Sequence, residues 1–102
     1  MTKISVIIPA KNEEDNLAMV LKDLYNTISL IKDYEFEVIC VDDSSTDRTA
    51  EIAESFGVKV IHNTGQSGKG LALRAGFQQA TGEILVMLDA DYSHRTEELP
   101  LF

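Results

Sequence analysis

Residues 4–8 form a short apolar run stopped by Pro9, the pattern of an interior strand in a parallel sheet. From Glu14 to about Ile31 the period changes. Leu17, Leu21, Leu24 and Ile28 recur three or four apart, with Val20 and Ile31 widening the stripe, which predicts an amphipathic helix. Asn12 or Asp15 is placed to cap it. Residues 36–41 predict a second strand, and residues 49–56 a helix with Ile52, Ala53 and Phe56 on one side. Gly57 stands where that helix must stop, so residues 58–61 predict a short third strand. Residues 70–80 return to helical spacing with Leu71, Ala72, Ala75 and Ala80, and with Leu73 and Phe77 broadening the apolar side. Gly76 within it reads as a close-packing position or a slight bend. Residues 84–88 predict the fourth strand.

Strands alternating with helices give a βαβαβαβ unit of the Rossmann-like α/β class with right-handed crossovers. The expected strand order is 3-2-1-4. The chain then turns back at the first strand, and ligands of open parallel sheets collect beyond the carboxyl ends at that switch point. Three polar segments begin where apolar runs stop: 9–14, 42–47 and 89–91. The first and last are expected to be direct neighbours.

The chain has 102 residues, enough for one small domain or part of a larger one. No apolar stretch approaches the roughly 20 residues needed to cross a bilayer. The start of the chain lacks the basic segment and cleavage site of a secretory leader, so a cytoplasmic location is expected. A formal charge of −8 argues against extended nucleic-acid binding. A nucleotide remains compatible with it, because a divalent cation can bridge carboxylates to a diphosphate. The single Cys40 cannot form an internal disulfide and reads as a buried small hydrophobe.

Asp89 and Asp91 are one residue apart, so an extended backbone directs both carboxylates to one side. That pair either holds Mg²⁺ or Mn²⁺ against a diphosphate or caps a strand-to-helix loop. Asp42 fixes the strand end, Asp43 is the candidate for contact with a base or ribose, and Thr46 and Asp47 are structural. Pro9 and Ala10 would line a nucleotide entrance by their backbone, with Glu13 or Glu14 reaching polar atoms. The competing reading of Glu14 is a carboxylate at a helix start. Asn12 is placed to brace this loop from within. Residues 65–70 resemble a phosphate loop without matching GxxxxGK[ST]. Lys69 there either offsets diphosphate charge or starts a helix. His62 reads as a polar strand end, Arg74 as solvent-facing, and His94 and Arg95 as groups within reach of a phosphate.

Four segments, ISVIIPAKNEEDNL, VICVDDSSTDRTAEIA, GQSGKGLALRAGFQQATG and ILVMLDAD, together resemble family 2 glycosyltransferases of the GT-A fold. The resemblance is nearest to the dolichol-phosphate and polyprenyl-phosphate mannosyltransferase group and covers nearly the whole chain in order. It implies that residues 1–102 are the N-terminal nucleotide-sugar-binding portion of a GT-A domain. It further implies that Pro9, Ala10, Glu13 and Asp43 surround the nucleotide, with Lys69 near base and ribose. Asp91 would be the direct metal ligand, and Asp89 would contact ribose or metal-bound water, the two forming the catalytic pair. Mn²⁺ or Mg²⁺ would serve as cofactor. The donor would be GDP-mannose or a UDP-sugar, and the acceptor a polyprenyl phosphate or a saccharide. Transfer would invert the anomeric carbon.

Two departures from the family pattern stand out. Ser44 replaces a frequent glycine, and Tyr92-Ser93-His94-Arg95 differs from the usual sequence after the metal motif. The shortness of the chain leaves a competing expectation, a catalytically incomplete nucleotide-binding fragment or an interaction fragment that pairs with a second copy as a homodimer. In the longer enzyme the same portion would lie at the cytoplasmic membrane surface. A nucleotidyltransferase is disfavoured because PAKNEE is acidic where a glycine- and arginine-rich loop is expected. A receiver-like signalling domain is disfavoured because His62 and Asn63 occupy the place of its phosphoacceptor.

Overall fold

The computed structural model describes residues 1–63 and 69–90, the side chain of Lys69 excepted. Four parallel strands, β1 (Thr2–Ala10), β2 (Tyr34–Asp42), β3 (Lys59–His62) and β4 (Ile84–Met87), lie in the order β3-β2-β1-β4. Helices α1 (Leu17–Ser29), α2 (Thr49–Ser55) and α3 (Lys69–Gln79) connect them. The expected element order and sheet topology are both present.

The period-two alternation of β1 divides the core between the two sheet faces. Val6 and Ile8 face Leu17, Val20, Leu21 and Leu24 of α1 and Ala53 of α2. Ile7 faces the other side and joins Ile39, Val41 and Ala72 beneath α3. Burying each such aliphatic side chain contributes about 1.5–3 kcal/mol, and Ile7, Ile8, Leu17, Leu21, Leu24 and Ile39 are all fully buried. Tyr25 of α1 stacks on Phe56 just beyond α2, with ring centroids 6.5 Å apart.

The elements differ from expectation at their ends. Pro9 does not stop β1; the strand runs on to Ala10, with Pro9 opposite Val41. Successive residues of a parallel strand bond alternately to left and right. The Ile7 carbonyl accepts from Leu88 and the Ala10 carbonyl from Asp43, so the N–H that Pro9 lacks would face the β4 side, past the last paired residue of β4. A proline there removes no ladder bond. Helix α1 begins three residues later than expected, and neither Asn12 nor Asp15 caps it; Asn16 takes that place without a side-chain bond. Instead the Glu13 carbonyl accepts the N–H groups of Asn16 and Leu17 at 3.1 and 2.9 Å, closing a turn ahead of the helix.

Gly57 ends α2 with a φ of +76°, the left-handed conformation expected of a helix stop. Gly76 is a contact position: a Cβ there would lie 2.5 Å from Ile7 Cγ2 and 3.1 Å from Val41 Cγ2. The missing side chain lets α3 lie close over β1 and β2. Phe77 does not extend the buried side of α3; it is 41 % exposed.

Candidate functional site

Backbone pairing continues past the strand ends on the carboxyl side of the sheet. Asp43 donates its N–H to the Ala10 carbonyl at 2.8 Å, Asn63 to the Asp42 carbonyl at 2.9 Å, and Leu88 to the Ile7 carbonyl at 3.0 Å. Asn63, Asp43, Ala10 and Asp89 therefore succeed one another across the sheet edge in strand order. Asp43 and Asp89 flank the end of β1, two strand spacings or roughly 10 Å apart across the sheet. The topology thus brings Pro9, Ala10, Asp43 and Asp89 to one edge. Asp91 lies outside the described residues, as do the side chain of Lys69, residues 65–68, His94 and Arg95.

The loops after β1 and β2 are interlocked by bonds that run in both directions. Asn12 donates its N–H to Ser45 Oγ at 2.9 Å, and Asn12 Oδ1 accepts the Thr46 N–H at 2.8 Å. One turn on, Glu14 donates its N–H to Asp47 Oδ2 at 3.2 Å, while Glu14 Oε2 accepts the Arg48 N–H at 3.0 Å. Between these pairs, Glu13 donates its N–H to Thr49 Oγ1 at 2.9 Å. Thr49 is fully buried, and its hydroxyl also bonds Asp47 Oδ1. Glu14 is thus a helix-start carboxylate, as one reading had it, but of the helix that follows the other loop.

Asn12 and Ser44 are the described non-glycine residues with positive φ, at +53° and +59°. Asparagine tolerates that conformation, whereas serine ordinarily yields it to glycine. Ser44 is the position at which the sequence departed from a frequent glycine, and the backbone gives the reason for that preference. Its hydroxyl donates to the Asn63 carbonyl at 2.9 Å, which holds the strained turn.

Two adjacent carboxylates sit beneath this loop. Asp42, 7 % exposed, accepts the Ser45 N–H on Oδ1 at 3.1 Å and lies 3.3 Å from His62 Nδ1 through Oδ2. It fixes the strand end. Asp43, 5 % exposed, accepts from the Asn63 side-chain amide at 2.9 Å. Asp47 is held below the usual carboxylate range, first by the Thr49 hydroxyl and then by backbone N–H groups. Pro9, Glu13 and Asp89 are half-buried, and Ala10 is buried.

Carboxylate oxygens are hard donors, suited to Mg²⁺ or Mn²⁺ rather than to soft metals. Asp89 supplies such a donor at the switch point. Among the described residues no three His, Cys, Asp or Glu side chains gather into a closed cage. A cation that bridges protein to diphosphate takes the open arrangement, with few protein ligands and the balance from phosphate and water. Of the two expected ligands Asp89 lies among the described residues, and its carboxylate is of the donor type that role uses. Cys40 has no part in it: burial, then the charge of Asp42, pushes its thiol up to about 12.

A second polar cluster, unanticipated from the sequence, lies toward the opposite end of the strands. Ser5 of β1, fully buried, donates to Glu37 Oε1 of β2 at 2.8 Å and accepts the Gly82 N–H at 2.8 Å. Glu37 also accepts the Thr81 N–H at 3.0 Å, and Lys3 Nζ donates to Thr81 Oγ1 at 2.6 Å. This brace ties the connection before β4 onto the sheet. The available signal was register: Ser5 and Glu37 are polar residues at paired positions of two apolar strands.

The family model "Glycosyl transferase family 2" matches residues 5–102. A dolichol-phosphate mannosyltransferase of Pyrococcus furiosus is 37 % identical over 96 % of this chain and 28 % of its own length. An undecaprenyl-phosphate 4-deoxy-4-formamido-L-arabinose transferase of Photorhabdus laumondii is 36 % identical, over 96 % of this chain and 32 % of its own. The chain therefore spans about a third of the length of these relatives. Among solved structures, a Pyrobaculum calidifontis mannosyltransferase in complex with GDP-Man and Mn²⁺ aligns over 86 % of this chain and 27 % of its own, with a TM-score of 0.74 and 32 % identity. Glucosyl-3-phosphoglycerate synthase of Mycobacterium tuberculosis, in complex with Mn²⁺, UDP and glucosyl-3-phosphoglycerate, aligns over 97 % of this chain and 37 % of its own, with a TM-score of 0.80 and 30 % identity.

Proposed function

The chain belongs to glycosyl transferase family 2, and from that membership we propose that it forms the nucleotide-sugar-binding part of an inverting, metal-dependent sugar transferase. The donor is GDP-mannose or a UDP-sugar, and the acceptor a polyprenyl phosphate. The observation that carries this reading is the placement of Asp43 and Asp89 on either side of the end of β1, at the switch point of the sheet. Curated relatives are named for dolichol-phosphate and undecaprenyl-phosphate transfer, and two structural neighbours hold Mn²⁺ with GDP-Man or UDP.

In this reading Pro9 and Ala10 pack against the nucleoside through their backbone, and Asp43 and Glu13 accept its N–H or hydroxyl hydrogens. Lys69 lies near base and ribose. Asp91 and Asp89 would hold Mn²⁺ or Mg²⁺, which when bound stabilises the negative charge that develops on the departing nucleoside diphosphate. The acceptor oxygen attacks the anomeric carbon from the face opposite the diphosphate, and the electron pair of the broken C–O bond leaves with the diphosphate. A lipid-phosphate oxygen is already anionic near neutral pH, so this chain needs to supply no strong base. Such an acceptor places the working enzyme at a membrane surface. No described helix is long and apolar enough to cross one.

Transfer of labelled sugar from GDP-mannose, UDP-glucose and UDP-N-acetylglucosamine to a short polyprenyl phosphate, with Mn²⁺ or Mg²⁺, tests the reading. Product with inverted configuration supports it. Metal-dependent nucleotide binding without transfer to any acceptor would reduce the chain to a donor-binding fragment, or to one that acts only with a second copy.

A further inference from the structure

Asn63, the residue after β3, directs three of its groups at the loop after β2. Its N–H donates to the Asp42 carbonyl, its carbonyl accepts from Ser44 Oγ, and its Nδ2 donates to Asp43 Oδ1, all at 2.9 Å. We infer that Asn63 is a positioning residue that sets the plane of the Asp43 carboxylate for hydrogen bonding to the base or ribose of the nucleotide. This rests on the reading that Asp43 contacts the nucleoside.

Recognition of a base edge or a ribose diol by a carboxylate is directional, and an aspartate left alone turns about two side-chain torsions. Asp43 is anchored at its own N–H by Ala10 and at Oδ1 by Asn63. A carboxylate presents acceptors only, so the Asn63 amide must face it with its NH₂ group, which fixes the amide orientation as well. The positive φ of Ser44, the next residue, is held by the Asn63 carbonyl. One residue, directly after β3, thereby bonds both the carboxylate, through its side chain, and the turn that carries it, through its backbone. Asp89 lies on the other flank of β1, the flank read as the diphosphate end of the site.

A bond that merely compensates the burial of Asp43 and a bond that aims it have different consequences for binding. Calorimetric titration of the chain with UDP, GDP and inorganic pyrophosphate, each with Mn²⁺, separates them in wild type, Asn63→Ala, Asp43→Ala and the double variant. Expected is a loss of roughly tenfold or more in affinity for the better nucleotide in Asn63→Ala, the scale of one hydrogen bond to a charged group. Pyrophosphate affinity is expected to stay within about twofold, and the double variant to bind no more weakly than Asp43→Ala. Asn63→Leu, similar in size but without the donor and without a second charge beside Asp43, repeats the test should Asn63→Ala melt early, and the same loss is expected.

The inference is overturned if Asp43→Ala weakens nucleotide binding and both Asn63 variants do not. It is also overturned if the two losses add in full, or if pyrophosphate affinity falls in parallel. If instead Asp43→Ala leaves nucleotide affinity intact, or wild type binds no nucleotide, the reading of Asp43 itself falls and the inference falls with it.

Discussion

The loops after β1 and β2 hold each other in place by side chains, whereas β4, on the other side of β1, pairs among the described residues with β1 alone. Asn12, Glu13 and Glu14 are each bonded to the facing loop. Ile84, Leu85 and Met87 of β4 are exposed at 43, 46 and 37 %. The nucleoside end of the proposed site is thus shaped by short polar bonds within this chain. The Asp89 end is positioned by strand pairing and by the brace at the start of β4. Changes at the brace should cost the whole fold; changes between the loops should cost the site more than the fold.

The largest effect is expected from Gly82→Ala. A Cβ there would fall 2.5 Å from Ser5 Oγ and 2.7 Å from the Ser5 backbone nitrogen, and backbone cannot yield as a flexible side chain does. Urea unfolding should show a loss of about 3 kcal/mol, and a neutral result would mean that the brace does not anchor β4. Thr49→Val keeps the shape but removes the acceptor for the Glu13 N–H and the donor to Asp47. A loss of about 1–2 kcal/mol is expected, together with weaker nucleotide binding even where the protein is fully folded. Stability lost without any change in binding would break the contrast between the two regions.

Acid titration sharpens it further. The Thr81 N–H, with help from Ser5 and Lys3, holds Glu37 below the usual carboxylate range despite the opposing effect of burial. A carboxylate depressed by folding contributes stability that is present above its unfolded value, about 4.3, and is lost as pH falls through the folded value. Unfolding free energy should therefore drop on acidification below about pH 4, and Glu37→Gln should flatten that limb. An unchanged slope would show that Glu37 is not the group responsible. The smallest effect concerns Cys40, buried and raised to about 12. It should resist a thiol reagent at pH 8 until the chain unfolds; rapid labelling of the native protein would contradict the described packing.

The architecture was legible because hydrophobic period is a local property. Continuous apolar runs and 3.6-fold spacing gave every element, and their alternation gave the parallel βαβ class within which the strand order was expected. Element ends were less legible, since they depend on partners. Pro9 stays in a strand only because of which neighbour its missing N–H would face, and Asn12 leaves its expected cap to bond Thr46, 34 residues away in sequence. The motif residues were visible as acids beyond strand ends. What they bond was not, because Glu14, Asp47 and Asn63 find partners across loops that no spacing rule connects. Ser44 is an intermediate case: a departure from glycine could be seen in the sequence, and its cause is a backbone angle of +59°.

The central claim is that the carboxyl edge of this sheet forms a cation-assisted site for a nucleoside diphosphate. Titration of UDP and GDP into wild type and Asp89→Asn, with Mn²⁺ and with chelator, tests it most directly. The account predicts that Mn²⁺ strengthens nucleotide binding to wild type by roughly tenfold or more, and that Asp89→Asn keeps the metal-free affinity while losing most of that gain. Equal affinity with and without Mn²⁺ in wild type, or an undiminished gain in Asp89→Asn, would contradict it.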